Sequence, residues 1–591
     1  MRTTMIALLT LLLTLLLTAI SVVAVPTASA QPGRYTSQML YFLVNVGPDD
    51  NVPCTIVGEL FTPDGASATN RAPAILTTNG FGGSYRDQVP SAQMFASLGY
   101  VALAYSGLGF GGSTCKISLD DREYDGKAAS QLVSFLGGAD GIAFTDPAAT
   151  QPRAVLDAVT RDSTDHRGAA SVNDPRVGMV GGSYGGGIQF AAAAVDPRID
   201  TIIPLITWND LTYSLIPNGT GIVEGVSTAL PGAAKVTFAS VLFASGVLNP
   251  GVVGYRADPS RLAGCPNYQR DMCTAIAQAT TTGTVNPDIA DYLRHSSVAT
   301  FLDDIRIPVL LGQGQQDTLF DLNEATATYR GLKQRGVPVK MIWHSWGHSH
   351  LVPAPGEFSL TAPDPGAQYE TARMLDWMDH YLRDTGADTG PEFAYFRPWV
   401  PYTGNAEPAY ATSGTIDVGT PRSLYLSHER QLVDDPAAVR PAERIFVTAP
   451  GGAPTGIEAF DLAPGANIPN VQVPGTQATW TSAPMSSPVD VVGAPAATLR
   501  VDAADQAVVF AQIFDVAPDG AATLVNGLTI PVRITEPTVP VTMPAFVHRF
   551  EPGHSVRFVV SGGNDSFRGG PVAVPVTIHA EGSSLQLPVT P

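Results

Sequence analysis

Apolar and polar positions change rhythm three times along this chain. After Met39 the apolar positions fall into short β-rich runs at residues 40–46, 54–61, 74–78 and 101–105, with the turn Gly47-Pro48-Asp49-Asp50 between the first two. That pair reads as a hairpin. The later pair flanks residues 91–98, whose apolar spacing suits a helix, so 74–105 predicts strand, helix, strand with a right-handed crossover into a parallel sheet. Helical spacing returns at 127–136 and 153–159. A buried strand at 177–180, an alanine-rich helix at 185–195 and a strand at 199–206 follow.

Between 211 and 297 the alternation lapses into helical and loop segments, including 229–248 and 287–293, which read as a cap inserted over the carboxyl edge of the sheet. The alternation resumes with a strand at 307–312, a helix at 322–335, a strand at 339–343 and a long helix at 367–382. After Gly386 helical periodicity stops, and β-rich runs at 423–426, 497–501, 507–514, 528–534 and 555–560 are separated by proline and glycine. The predicted fold class is α/β, with an α/β domain over 31–388, its cap at about 211–297, and an all-β sandwich over 389–591. No solenoid repeat interrupts this plan.

The first thirty residues stand apart: Arg2, an apolar run over 5–25 and the small residues Ala28-Ser29-Ala30 read as a signal peptide, so the mature chain is expected to begin near Gln31. An uncleaved anchor is the competing reading, and no later segment is apolar for long enough to span a bilayer. A length of 591 residues calls for at least two domains, and 58 glycines and 49 prolines scattered as turn punctuation exclude a fibrous or disordered chain. A net charge of −19 without a basic cluster excludes nucleic acid as a partner. Export puts the four cysteines in an oxidising compartment, where Cys265 pairs with nearby Cys273 and Cys54 is left with Cys115; free buried thiols are the alternative.

The chemistry is carried by Gly181-Gly182-Ser183-Tyr184-Gly185. In a glycine-rich chain a Gly-x-Ser-x-Gly pattern means little alone. Here an apolar strand runs into it and a small-residue helix leaves it, the context that forces a serine onto a strained, exposed turn. A serine hydroxyl needs an imidazole to take its proton and an acid to orient the imidazole. Asp317 and His348 follow the strands at 307–312 and 339–343, in the order serine, acid, histidine that α/β-hydrolases use. Asp321 lies near the same strand end and competes with Asp317 as the acid. An oxyanion needs two donors, expected from the backbone N–H of Tyr184 and of Phe81 in Asn79-Gly80-Phe81-Gly82-Gly83. His344, His348 and His350 crowd one segment without metal-ligand spacing, and Gly107-Leu108-Gly109-Phe110-Gly111-Gly112 opens no helix, so neither a metal nor a dinucleotide is expected.

These residues resemble the X-prolyl dipeptidyl-peptidase-like group of α/β-hydrolases, which also contains cocaine esterase, α-amino-acid ester hydrolases and glutaryl acylases. The likeness runs through 181–186, 99–113, Ile305 to Leu310 leading to Asp317, Trp346-Gly347-His348, and 549–557 near the end. It implies that Ser183 is nucleophile, Asp317 orienting acid and His348 general base, with a helical cap and a C-terminal jelly roll shaping an acyl pocket. Members such as cocaine esterase place a tyrosine hydroxyl in the oxyanion hole where this chain has Phe81, so the likeness leaves backbone donors. The expected activity is an exported serine esterase or amide hydrolase without a cofactor, acting on a small ester, an amide or a peptide, secreted or associated with the cell envelope. An X-Pro dipeptidyl-peptidase, or a secreted binding protein with a vestigial hydrolase domain, are the other readings.

Overall fold

The computed structural model describes residues 35–457, 471–504 and 507–590; the expected signal peptide lies outside them. Eleven strands form the first sheet, in the order β11-β10-β9-β8-β7-β6-β3-β4-β2-β1-β5. They are β1 (Tyr35–Val46), β2 (Val52–Pro63), β3 (Ala74–Thr78), β4 (Val101–Tyr105), β5 (Ala143–Phe144), β6 (Val177–Gly182), β7 (Thr201–Leu205), β8 (Val309–Gly314), β9 (Val339–His344), β10 (Phe393–Phe396) and β11 (Tyr410–Ser413). From β4 through β10 the pairing is parallel, and β1 and β2 form the expected antiparallel hairpin.

Successive side chains of a strand face opposite sides, and both sides are covered here. Val101 and Leu103 of β4 share a core with helices α2 (Lys127–Leu136), α3 (Tyr184–Val195) and α8 (Leu322–Gln334). Ala102 and Ala104 of the same strand face α1 (Val89–Ser97) and α9 (Tyr369–Arg383). Two-sided burial explains why these strands are continuous apolar runs.

Three expectations need correction, the third of them in the cap. Residues 153–159 form no helix: they run extended, with Ala72 donating to Ala158 and Thr160 donating back to Ala72, so the backbone groups a helix would use are spent on the neighbouring segment. Beyond them a polar hairpin, Arg161–Thr164 with Ala170–Pro175, was not anticipated. Strands β10 and β11 lie past residue 388 yet join the first sheet, so that expected boundary falls before the sheet ends.

The cap between β7 and β8 contains α4 (Leu211–Leu215), α5 (Val236–Leu248), α6 (Met272–Thr282) and α7 (Pro287–His295). Residues 229–235, expected to begin α5, are irregular: Pro231 and Gly232 give their carbonyls to Arg533 of the β domain. The C-terminal domain curls a twelve-stranded sheet around one apolar core containing Trp480, Phe550 and Phe558. Its last strand, Pro575–Val589, pairs with Thr420–Ser427, Glu443–Val447 and Ala496–Ala503. The domain braces the cap through Gly219, which donates to Pro531 and accepts from Thr542.

Candidate active site

Strand β4 lies on one side of β3 and β6 on the other, so the connections leaving β3 and β6 diverge and open a crevice at their carboxyl ends. Ser183 sits there, between β6 and α3, with φ +58° and ψ −122°. An L-residue pays for this left-handed backbone, which persists because its surroundings impose it. Ser183 donates its N–H to Leu205 O at 2.9 Å and accepts from Gly186 and Gly187 N–H at 2.8 and 3.0 Å. A Cβ on Gly181 would lie 2.8 Å from Gly185 O, and one on Gly185 would strike Thr78 O. Glycine at these positions lets strand, turn and helix close around the serine.

His348 follows β9 and reaches Ser183: Nε2 lies 2.8 Å from Oγ. Its Nδ1 lies 2.6 Å from Oδ2 of Asp317, which follows β8 and is 0 % exposed. The Asp317 carboxylate also accepts the His348 backbone N–H at 3.2 Å and, on Oδ1, the Leu319 and Phe320 N–H groups at 3.0 and 2.8 Å. A neutral imidazole fixed by a buried carboxylate on one nitrogen presents the other as an acceptor for a hydroxyl proton. Phe320 packs edge-on to the His348 ring at 5.0 Å. Asp321 does another job: it caps α8 through Asn323 N–H at 3.0 Å and accepts the Tyr213 hydroxyl at 3.1 Å.

The His348 loop hangs from two buried glutamates that sequence reasoning missed. Glu370 takes His344 Nδ1 at 2.9 Å and Trp346 Nε1 at 3.0 Å; Glu357 takes Ser345 N–H at 2.8 Å and the Tyr410 hydroxyl at 2.6 Å. His344 is therefore a buried anchor, stacked on Trp346 at 4.2 Å, and the Gly347 N–H donates to the His350 carbonyl at 2.8 Å. Lys235, also missed, is buried at the start of α5 and donates to Leu319 O at 2.8 Å, tying the cap to the Asp317 loop. Burial lowers its pKa, opposed by Asp321, Glu324 and Asp317. A buried charge and a surface charge look alike in sequence, and no spacing marks these three.

The Phe81 turn lies beside the nucleophile: a Cβ on Gly80 would stand 3.8 Å from Ser183 Cβ. Among the described residues no acceptor takes the N–H of Phe81 or of Tyr184. The Phe81 ring packs on Phe110 and Tyr184 at 5.1 and 5.5 Å. Behind Tyr184 lies a buried acidic pair. The Tyr184 hydroxyl donates to Asp125 Oδ2 at 3.1 Å and accepts the Asp120 N–H at 3.0 Å. Burial pushes the Asp125 carboxyl up to about 7 and raises Asp120 well above its ordinary value.

A cavity of about 120 Å³ opens from Ser183 under the cap. Asn249 and Arg261 tie the cap to the loops after β3 and β4, bonding Gly82 O at 2.6 Å and Gly109 O at 2.7 Å respectively. Disulfide Cys265–Cys273 tethers α6, and Cys54–Cys115 joins β2 to the loop that follows β4.

Comparison with known proteins places this geometry in context. The model of X-Pro dipeptidyl-peptidase (S15 family) matches residues 54–350, and that of the X-Pro dipeptidyl-peptidase C-terminal non-catalytic domain matches 408–568. Among solved structures the chain is similar to an aminopeptidase from the marine sediment archaeon Thaumarchaeota archaeon, at 14% identity and TM-score 0.62 over 97% of this chain and 99% of that one. It is also similar to an α-amino acid ester hydrolase, at 16% and 0.62 over 96% and 99%. A CocE/NonD family hydrolase from Staphylococcus aureus follows at 13% and 0.59 over 94% of each chain. These likenesses speak for the fold. No curated protein matches the chain.

Proposed function

The chain belongs to the X-Pro dipeptidyl-peptidase S15 family and is a serine hydrolase, and from that premise we propose that Ser183, His348 and Asp317 are its catalytic triad. The observation that carries the reading is the continuous relay from Ser183 Oγ through His348 to a fully buried Asp317. His348 Nε2 takes the hydroxyl proton as Oγ adds to the substrate carbonyl, and Asp317 stabilises the imidazolium that forms. The backbone N–H groups of Tyr184 and Phe81, which no acceptor among the described residues takes, receive the developing oxyanion. His348 returns the proton to the leaving alcohol or amine. Water, activated by the same imidazole, then hydrolyses the acyl-enzyme.

The protein acts on an ester, an amide or a peptide after export, and association with the cell envelope is compatible with that route. The leader-like first thirty residues and two disulfides support export. The family match keeps X-Pro dipeptidyl-peptidase activity as the second reading.

A fluorophosphonate probe is expected to label the wild type and not Ser183→Ala, with p-nitrophenyl ester hydrolysis lost in the same variant. Labelling or turnover retained in Ser183→Ala overturns the assignment.

A further inference from the structure

The cap lines the cavity with three helical stripes of the same kind. On α5 the positions are Ala239, Leu242 and Phe243; on α6 they are Met272, Ala275, Ile276 and Ala279; on α7, Ile289 and Leu293. Spacings of three and four put each set on one helix face. The α5 sequence carries no charge at all, and its flank over the cavity is hydrocarbon.

The few polar atoms in the wall are already spent. Tyr184 Oη lies between Asp125 and the Asp120 N–H, Tyr268 Oη donates to the Leu242 or Phe243 carbonyl at 3.2 Å, and Trp208 Nε1 donates to Ser296 O at 3.0 Å. Ser183 is the one lining residue whose polar group is aimed at chemistry. No carboxylate lines the cavity among the described residues. The acids of the cap turn away from it: Asp271, Asp288 and Asp291 are exposed, while Asp210 is buried in bonds to Thr212, Ser227 and Ser297. An ammonium carried into this wall loses its water and finds no partner.

We propose that the acyl group this site accepts is uncharged and apolar, a medium-length alkyl or aryl-alkyl chain lying along α6 beneath the cap, and that a free α-amino group is rejected. This rests on the Ser183 reading above. A chain beside the stripe from Met272 to Ala279 has about 10 Å of wall, at 1.5 Å of rise per residue. Each methylene buried there raises kcat/KM about fourfold, until that length is filled. A dipeptidyl substrate, forced to leave its ammonium unpaired, falls behind an apolar ester of similar size by about a hundredfold.

The test uses the full-length mature protein, titrated first with a fluorophosphonate so that every rate is per active site. Hydrolysis of p-nitrophenyl acetate, butyrate, octanoate and laurate is compared with hydrolysis of glycyl-prolyl p-nitroanilide and of glycyl p-nitrophenyl ester. The expected profile climbs steeply from acetate to octanoate and levels by laurate, with both amine-bearing substrates poor. In Ile276→Trp the octanoate-to-acetate ratio is expected to fall about tenfold; the wild-type profile stands as a test even where that variant does not fold. Labelled enzyme with a flat profile, a preference for acetate, or better turnover of the amine-bearing substrates overturns this inference and leaves the triad standing. Enzyme that neither labels nor turns over any ester overturns the triad reading and this inference with it.

Discussion

The Asp317→Asn variant probes the relay at its narrowest point. The carboxylate accepts from Leu319 and Phe320 N–H on Oδ1 and from His348, backbone and Nδ1, on Oδ2. An asparagine has one acceptor oxygen and one donor amide to fill those two sides. If the oxygen faces the loop, both backbone bonds survive and the amide points at His348. Nδ1 must then accept, the proton moves to Nε2, and Nε2 donates to Ser183 where it has to receive. If the amide faces the loop, two buried N–H groups lose their acceptor at about 1–3 kcal/mol each, so the first orientation prevails. The wrong tautomer costs about four decades in kcat, or about 5.5 kcal/mol of transition-state stabilisation. Folding is expected to weaken far less, because the side chain keeps its shape and two of its bonds. The assay is kcat for p-nitrophenyl butyrate together with the fluorophosphonate labelling rate, and both should fall together. Asp321→Asn is the matched control: asparagine caps a helix as well as aspartate does, and activity should stay within tenfold. A kcat for Asp317→Asn within tenfold of wild type, or a larger loss in Asp321→Asn, refutes the argument.

Asp125→Asn is expected to change how stability depends on pH. Burial holds the Asp125 carboxyl up to about 7 against an ordinary 3.8, with Asp121 opposing its ionisation, Asp120 beside it, and Ser118 and Tyr184 bonds pulling the other way. Because the folded value is the higher one, the native state keeps a proton that the unfolded chain has lost between about pH 4 and 7. The wild type therefore loses about 1.4 kcal/mol per pH unit across that window, about 4 kcal/mol in all, and the variant does not. Unfolding midpoints of the two proteins should diverge in the variant's favour from about pH 4 to 7 and stay parallel above that; a gap independent of pH across that window counts against the reasoning. In Gly185→Ala the new methyl strikes the Thr78 carbonyl and lies 3.2 Å from that of Asn79, so α3 must shift away from the Phe81 turn. A displacement of about 1 Å there should cost kcat/KM about a hundredfold while circular dichroism stays native, and near-wild-type kinetics would show that the approach is looser than drawn.

The sheet was legible because its strands are buried on both faces. Residues 74–78, 101–105 and 127–136 are elements with those same ends, since a continuous apolar run or a strong helical stripe is a local signal. The grouping of Ser183, His348 and Asp317 was legible for a chemical reason: in a serine hydrolase acid and base sit on loops at the carboxyl ends of strands, so strand positions and chain order narrow the choice to His348 with Asp317 or Asp321, and the structure brings Asp317 to the imidazole. What escaped depends on partners far away in sequence. Residues 153–159 have helical spacing, but their backbone groups go to distant partners: the Arg153 N–H to Ala143, the Asp157 carbonyl to Arg71 and the Ala158 carbonyl to Ala72. Residues 393–396 carry only a short apolar run, and their parallel pairing with β9 makes them part of the first sheet.

Substrate recognition was illegible for a related reason, and the structure turns that gap into a constraint. In sequence the cap contains several acids, and nothing in their spacing identifies one that faces a substrate. On helix α7 Ile289 and Leu293, four apart, face the cavity, so Asp288 and Asp291 lie on its solvent side. The sign of the pocket is set by helix rotation, and rotation is fixed by contacts a sequence does not show, such as the Tyr292 hydroxyl on the Ser118 carbonyl and Ser297 on the N–H of Leu211. The same anchoring ties specificity to catalysis. Lys235 at the foot of α5 grips Leu319 O, in the same peptide unit as the Phe320 N–H that holds Asp317 and next to the unit of the Leu319 N–H, so a cap displaced by a poorly fitting acyl group pulls on Asp317. Selectivity among acyl chains should then appear in kcat as well as in KM. A chain-length series that alters KM alone would mean that the cap only binds, and that Lys235 transmits nothing to the triad.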